Sequence, residues 1–249
     1  LAGQRAMEEL SYIRKDIKNG VELVTQADPI CQKLIIDRIR ENFPDHGFLA
    51  EEGTEGAIFK VAPRGDESIW WVIDPIDGTN NFANGLLCFS VSIAAMYQGK
   101  PIIGVIFDPT TDSMYTAAED MDAQLDGSRI TVSEDPISPF TSFAIDSHAE
   151  NPGIKKIMEL TRFRCMGSTA IHLAYVAKGA MIGAICSTVK LWDIAAGAII
   201  IERAGGIVTA PGGQNPFPVD PDTYNGEPIP LLTASKKTHT QIYDIFSEK

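Results

Sequence analysis

The chain has 249 residues, 44% of them apolar and 22% charged, which is the composition of a globular protein long enough to bury a large core. A formal net charge of −12 argues against nonspecific nucleic-acid binding, which relies on Lys and Arg. It leaves a phosphate substrate open, because bound divalent ions reverse the local field. No apolar run approaches a membrane span and no signal peptide is visible, so the cytoplasm is the expected location. The sequence starts at Leu1 rather than Met, so residues ahead of it are expected.

In chain order, Ala6 to Lys18 reads as an amphipathic helix with Leu10, Ile13 and Ile17 on one face, ended by Asn19-Gly20. Asp28-Pro29 opens a second helix, Pro29 to Phe43, with Asp28 at the N-cap and Pro29 at the first helical position. Phe48 to Ala50 is a short strand ending in Glu51-Glu52-Gly53. The polar stretch Thr54 to Ser68 reads as a mobile loop, and the apolar strand Ile69 to Ile73 follows. Phe89 to Tyr97, Ile102 to Phe107 and Met114 to Ala118 read as successive strands. Turns fall at Gln98-Gly99, Asp108-Pro109 and Asp126-Gly127. The first half is thus α+β with an antiparallel sheet.

In the second half strands and helices alternate. Phe143 to Asp146 is a strand, Pro152 to Leu160 a helix, and Ser168 caps a helix that runs to Lys178 with Gly179 behind it. Met181 to Ile185 is a strand, and Trp192 to Ala204 a helix closed by Gly205-Gly206. Strands at Ile207 to Thr209 and Pro230 to Ala234 and a helix from Thr238 complete the chain. This alternation predicts a mixed, layered α/β lobe, and Pro211 to Pro230 reads as a surface loop. One domain over residues 1–249 is expected, with lobes of about 1–140 and 141–249. The four cysteines, Cys31, Cys88, Cys165 and Cys186, lie in apolar stretches without Cys-x-x-Cys spacing, which favours buried free thiols over structural zinc.

The most informative run is Trp71-Val-Ile-Asp-Pro-Ile-Asp-Gly-Thr-Asn-Asn-Phe82. It delivers Asp74 and Asp77 at the end of an apolar strand, where carboxylates supply the oxygen ligands that hard cations need. Gly78 and Thr79 then offer backbone N–H groups and a hydroxyl to an anion. Asp-Pro and Asp-Gly, each taken alone, are common turn dipeptides. The full string Asp74-Pro-Ile-Asp-Gly-Thr-x-Asn-Phe82 resembles the signature of the inositol monophosphatase family, Mg²⁺-dependent and lithium-sensitive phosphomonoesterases. Trp192-Asp-Ile-Ala-Ala-Gly197, continuing to Gly205-Gly206, resembles the family's second signature. The resemblance runs from about Asp28 to Ala234.

The resemblance implies the layered α-β-α-β-α sugar-phosphatase fold, a homodimer and two Mg²⁺ ions. Glu51, Asp74 and the carbonyl of Ile76 would bind the first ion; Asp74, Asp77 and Asp193 would bind the second, with Asp74 bridging. Glu51 would help hold a weaker third ion through water. One ion lowers the pKa of a bound water and the other stabilises the leaving alkoxide. Thr79, hydrogen-bonded to Asp28, would orient or deprotonate the attacking water, and the amides of Gly78 and Thr79 would hold phosphate oxygens. For Glu51 the alternative is a surface acid, for Glu52 a solvated acid, for Asp28 and Ser168 a plain N-cap, and for Asp193 a first-turn acid favourable with the helix dipole.

Asp77 and Asp193 would also meet the substrate, together with Ser168, which matches a hydroxyl near the substrate in relatives. The family's Glu that hydrogen-bonds inositol hydroxyls, seven residues before the last ligand Asp, is here Cys186. A thiol is a poor substitute for that carboxylate. Lys190 is a candidate for an anionic or polar group, against the default of an exposed lysine. Asn80 and Asn84 differ from the Thr and His commoner in relatives. His46, His148, His172 and His239 match no catalytic pattern. The expected activity is hydrolysis of a small polyol or sugar phosphate monoester. Histidinol phosphate, fructose 1,6-bisphosphate and NADP are the alternative substrates. A regulatory binding protein that keeps the fold is the rival from another class. A zinc or iron hydrolase needs imidazole or thiolate ligands at motif spacing, which the sequence lacks.

Overall fold

The computed structural model describes residues 1–18, 20, 22–66, 68–147 and 152–247. Helix α1 (Ala2–Glu9) and a 3₁₀ turn at Leu10–Tyr12 lead into a hairpin of β1 (Lys15–Lys18) and β2 (Glu22–Thr25). The helix expected over Ala6 to Lys18 is therefore three elements, and Asn19, expected to end it, lies outside the described residues. The reason is pairing beyond the reach of local periodicity. Lys15 stands opposite Thr25 and Lys18 opposite Glu22, Gly20 adopts φ +75°, and the Gln26 side chain accepts the Arg14 amide. Ile17, expected on the apolar face of that helix, is 64% exposed.

Helix α2 (Ala27–Arg40) begins one residue before Asp28. Asp28 is thus inside the first turn rather than at the N-cap, and its carboxylate reaches back to accept the Thr25 N–H at 2.8 Å and the Thr25 hydroxyl at 2.7 Å. Pro29 also sits in that turn, where a missing N–H has no intrahelical partner to lose.

Strands β3 (Gly47–Ala50), β4 (Phe59–Val61) and β5 (Ile69–Asp77), the short helix α3 (Thr79–Ala83), and strands β6 (Ser90–Tyr97), β7 (Lys100–Asp108), β8 (Ser113–Ala118), β9 (Met121–Leu125) and β10 (Ser128–Arg129) follow. The strands form one sheet in the order β10-β9-β8-β7-β6-β5-β3-β4, antiparallel except where β3 runs parallel to β5. Strand β4 falls inside the stretch expected to be a loop; it pairs with β3 at the sheet edge. Gln98-Gly99 and Asp126-Gly127 make the expected turns, each with two successive positive φ angles, as tight hairpins require.

The second half adds β11 (Ser142–Ile145), α4 (Pro152–Leu160), β12 (Arg162–Arg164), α5 (Thr169–Ala177), β13 (Gly183–Cys186), α6 (Leu191–Arg203), β14 (Gly206–Thr209), β15 (Leu231–Ser235) and α7 (Lys236–Ser247). Its sheet is mixed, in the order β12-β11-β13-β15-β14. Strand β12 was not anticipated; its three exposed residues carry no burial pattern. Helices α1 and α2 cover the outer face of the large sheet, α5 and α6 lie between the sheets, and α4 and α7 cover the small one. This is the expected α-β-α-β-α layering. Helix α6 is apolar on every side because it is the central layer: from Leu191 to Ile201 every residue except Asp193 is buried. Small residues set its approach. A Cβ on Gly104 of β7 would stand 2.5 Å from the Ala196 carbonyl, and one on Gly197 would overlap Leu173 of α5.

Cys31 and Cys186 are buried as expected, but Cys88 is half-buried and Cys165 exposed. Among the described residues no helix is long and apolar enough to cross a membrane.

Candidate metal and phosphate site

Strand register assembles the carboxylates. Ala50 pairs with Ile73 across the parallel β3–β5 ladder, and the Glu51 N–H donates to the Ile73 carbonyl at 3.2 Å. Glu51 and Asp74 therefore leave neighbouring strand ends together. The β5–β6 pairing slips between Asp74 and Asp77, and such an irregularity re-aims side chains. There Asp74 Oδ1 accepts the Ile76 N–H at 2.9 Å. Asp193 comes from the first turn of α6, where its Oδ2 accepts the Lys190 N–H at 2.7 Å, as the acid of a capping box does.

One carboxylate oxygen each from Asp74, Asp77 and Asp193 lies within 4.8 Å of the others. Asp77 is further held by α5: it accepts the Ser168 hydroxyl and the amides of Ala170 at 2.7 Å and Thr169 at 3.2 Å. Burial pushes the Asp77 carboxyl up to about 6 in spite of those bonds. Burial first, and then the negative charge of Glu51 and the other two aspartates, push Asp74 well above the usual carboxylate range; burial, Asp77 and Glu51 do the same to Asp193. Three carboxylates driven toward protonation by burial, and then by neighbouring negative charge, fit a hard cation, which would supply positive charge to an all-oxygen ligand set.

Glu51 lies outside that trio. It accepts a hydrogen bond from Lys18 Nζ at 2.7 Å, and Glu52 accepts another at 2.5 Å. Burial works against the Lys18 ammonium, but the Glu51 and Glu52 carboxylates outweigh it and hold its pKa above the ordinary lysine value. Burial and the charge of Glu51 push Glu52 up to about 7. Lys18 was missed at the level of sequence because its strand was read as helix.

Gly78 sits at φ +95° in a gap where a Cβ would crowd the carbonyls of Cys88 and Gly167, so only glycine fits the turn into α3. Thr79 opens that helix, its hydroxyl 3.0 Å from the Ile76 carbonyl and 3.3 Å from Asp28 Oδ1. Burial is the main cause that raises Asp28 to about 6. Ser168 caps α5 by accepting the Ile171 N–H at 3.2 Å while it donates to Asp77, so cap and site residue are one.

A cavity of about 620 Å³ opens beside the cluster, lined by Lys18, Glu51, Lys60, Lys190 and Asp193 among others. Lys190 is half-buried, its Nζ donating to the Gly226 carbonyl at 2.5 Å. Cys186, expected to meet the substrate, is not on that wall: it closes β13 with 0% exposure, because the neighbouring strands and helices cover it. Asn84 bridges α3 to the hairpin, accepting Lys15 Nζ at 2.8 Å and donating to Asn80. His46 accepts the Trp71 indole N–H, His172 accepts the Met166 N–H, and His239 meets the Thr209 hydroxyl; His148 lies outside the described residues.

Comparison with known proteins agrees with this geometry. The model of the inositol monophosphatase family matches residues 1–249. A Thermotoga maritima fructose-1,6-bisphosphatase/inositol-1-monophosphatase is 38% identical over 196 residues, covering 78% of this chain and 73% of that protein. The Nus factor SuhB of Vibrio cholerae is 34% identical over 218 residues, covering 82% and 78%. The crystal structure of the extragenic suppressor protein SuhB from Bartonella henselae superposes with a TM-score of 0.87 at 27% identity, covering 99% of this chain and 94% of that one. With the whole length matched and the acids of both signatures gathered at one strand-and-helix junction, the chain belongs to the inositol monophosphatase family.

Proposed function

We propose that the protein is a Mg²⁺-dependent phosphomonoesterase acting on a small polyol or sugar monophosphate. The observation that carries this reading is the trio Asp74, Asp77 and Asp193, an all-oxygen cluster beside the Gly78-Thr79 turn and an open cavity. Asp74, Asp77 and Asp193 would hold one ion; Glu51, released from Lys18, would join Asp74 and the Ile76 carbonyl at another. Such ions supply a nucleophilic water at neutral pH and neutralise charge on the departing oxygen. The amides of Gly78 and Thr79 would hold phosphate oxygens, and the Thr79 hydroxyl, aligned by Asp28, would orient the attacking water. The alternatives of fructose bisphosphate, histidinol phosphate and NADP belong to the same chemistry, and the first accords with the name of the Thermotoga relative. A homodimer in the cytoplasm remains part of this reading by resemblance.

The test is phosphate release from myo-inositol 1-phosphate, histidinol phosphate, fructose 1,6-bisphosphate, glycerol 2-phosphate and NADP, with Mg²⁺ and with EDTA. Release that requires Mg²⁺ is expected. Asp193→Asn is expected to lose about 100-fold or more in kcat, since it removes a charged oxygen yet keeps an acceptor for the Lys190 amide. Asp77→Asn is expected to lose as much but also disturbs the start of α5. Release that is indifferent to EDTA would overturn the reading. Relatives named Nus factor SuhB favour a second reading, a regulatory protein that binds a partner; failure to hydrolyse any ester would move it forward.

A further inference from the structure

A second, smaller cavity of about 170 Å³ adjoins the first and shares Thr188 and Asp193 with it; Asp146, Ser168, Thr169 and His172 are among its other lining residues. Two of its lining side chains carry buried polar atoms without a hydrogen-bond partner among the described residues, Asp146 Oδ1 and His172 Nδ1. They differ in kind. Asp146 follows β11, and its Oδ2 accepts the Ser187 N–H at 2.5 Å and the Thr188 N–H at 3.3 Å, which fixes the carboxylate and leaves Oδ1 as an unused acceptor. His172 is in α5 and only 1% exposed. Its Nε2 accepts the Met166 N–H at 2.9 Å, so the ring proton resides on Nδ1, which is an unused donor. Burial pushes the His172 imidazole down to about 4 and keeps it neutral near pH 7.

Buried polar groups are rarely left unpaired, and two side chains on the wall of one cavity, one with an unpaired acceptor and one with an unpaired donor, complement a group that both donates and accepts. An alcohol has that property. A phosphate does not, because a carboxylate repels it and offers it no proton. We propose that Asp146 and His172 form a hydroxyl-binding subsite, and that it reads an alcohol group on the organic part of the substrate. The subsite deepens the phosphatase reading and rests on it. It narrows the substrate to an ester whose alcohol portion bears at least one further free hydroxyl, and it excludes a second phosphate from this corner of the cleft. Ordered water alone is the competing occupant of such a polar cavity.

The test compares the ratio of kcat/KM for myo-inositol 1-phosphate to that for cyclohexyl phosphate, which keeps the ring and lacks the hydroxyls. Glycerol 2-phosphate and isopropyl phosphate form a second pair. The wild-type ratio is expected to be about 100-fold or more, because a site built to bond a hydroxyl discriminates strongly against its absence. Asp146→Asn keeps an acceptor for the two backbone amides and turns the free acceptor into a donor. It is expected to shrink the ratio about tenfold or more, chiefly through KM. His172→Gln serves as the second variant, and a heteronuclear correlation spectrum of each establishes that it is folded. A ratio unchanged in folded variants would overturn the proposal and leave ordered water. If the wild type hydrolyses none of the esters, the phosphatase reading falls by itself. The subsite is then read from the ring ¹⁵N resonances of His172 titrated with myo-inositol. Movement of Nδ1 that Asp146→Asn weakens sustains the proposal, and a static ring ends it.

Discussion

Lys18 pairs with two acids beside the aspartate trio, and its position shows how a single residue compensates a charged cluster. Its ammonium bonds Glu51 and Glu52 with 8% of the side chain exposed. Removing one partner of a buried ion pair leaves the other uncompensated, which typically costs several kcal/mol. Lys18→Met is expected to be less stable in EDTA by about 3 kcal/mol in urea unfolding. It is also expected to gain more in Tm than the wild type on addition of Mg²⁺, because the ion no longer competes with an ammonium for Glu51. Equal stability of the two proteins in EDTA would show that the pair is idle. Among the expected site residues, Asp74, Asp77, Thr79, Ser168 and Asp193 come together, whereas Cys186 is sealed in the core.

At the scale of elements, the position of Asp193 is set by how closely α6 approaches the large sheet. That approach depends on Gly104, opposite the Ala196 carbonyl. The clash of an added methyl would be with backbone, which cannot rotate away, so α6 would have to shift and carry Asp193 with it. Gly104→Ala is expected to destabilise by about 1–3 kcal/mol in chemical denaturation, despite the entropy that alanine saves over glycine in a strand. A variant as stable as the wild type would show that the two layers are loosely fitted. Helices α5 and α6 and strands β6 to β8 were legible because their apolar runs are long and bounded by caps, glycines or tight turns. The β1–β2 hairpin and β4 were not, since a strand of three or four residues carries too little period to be told from a helix turn or a loop.

For the molecule as a whole, the buried His172 makes stability depend on pH in a definite direction. Its pKa in the fold is about 4 against an ordinary 6.5. Between those values the unfolded chain takes up a proton that the folded chain refuses. The stabilisation is complete above about 6.5 and is lost as pH falls toward 4, amounting to about 3 kcal/mol in total. The raised carboxylates, such as Asp28, act in the opposite sense, so the wild type alone mixes the two. The difference in unfolding free energy between wild type and His172→Gln isolates the histidine. It is expected to decline by about that amount from pH 7 to 4, and a difference constant with pH would place the imidazole in contact with water.

Several features of this protein were readable in the linear order of residues. Period and capping marked the long elements, the strand-end string from Asp74 to Thr79 marked its own acids because that signal is local, and the resemblance of Trp192 to Gly206 to a family signature marked Asp193. What required the tertiary structure was everything set by partners remote in sequence. The β3–β5 register placed Glu51 beside Asp74, the hairpin brought Lys18 to Glu51 and Glu52, and strand and helix packing buried Cys186. The same packing left Asp146 and His172 on the wall of one cavity, each with a polar atom unpaired among the described residues. A chain carries its propensities residue by residue, but hydrogen-bond satisfaction and charge pairing are properties of the folded whole.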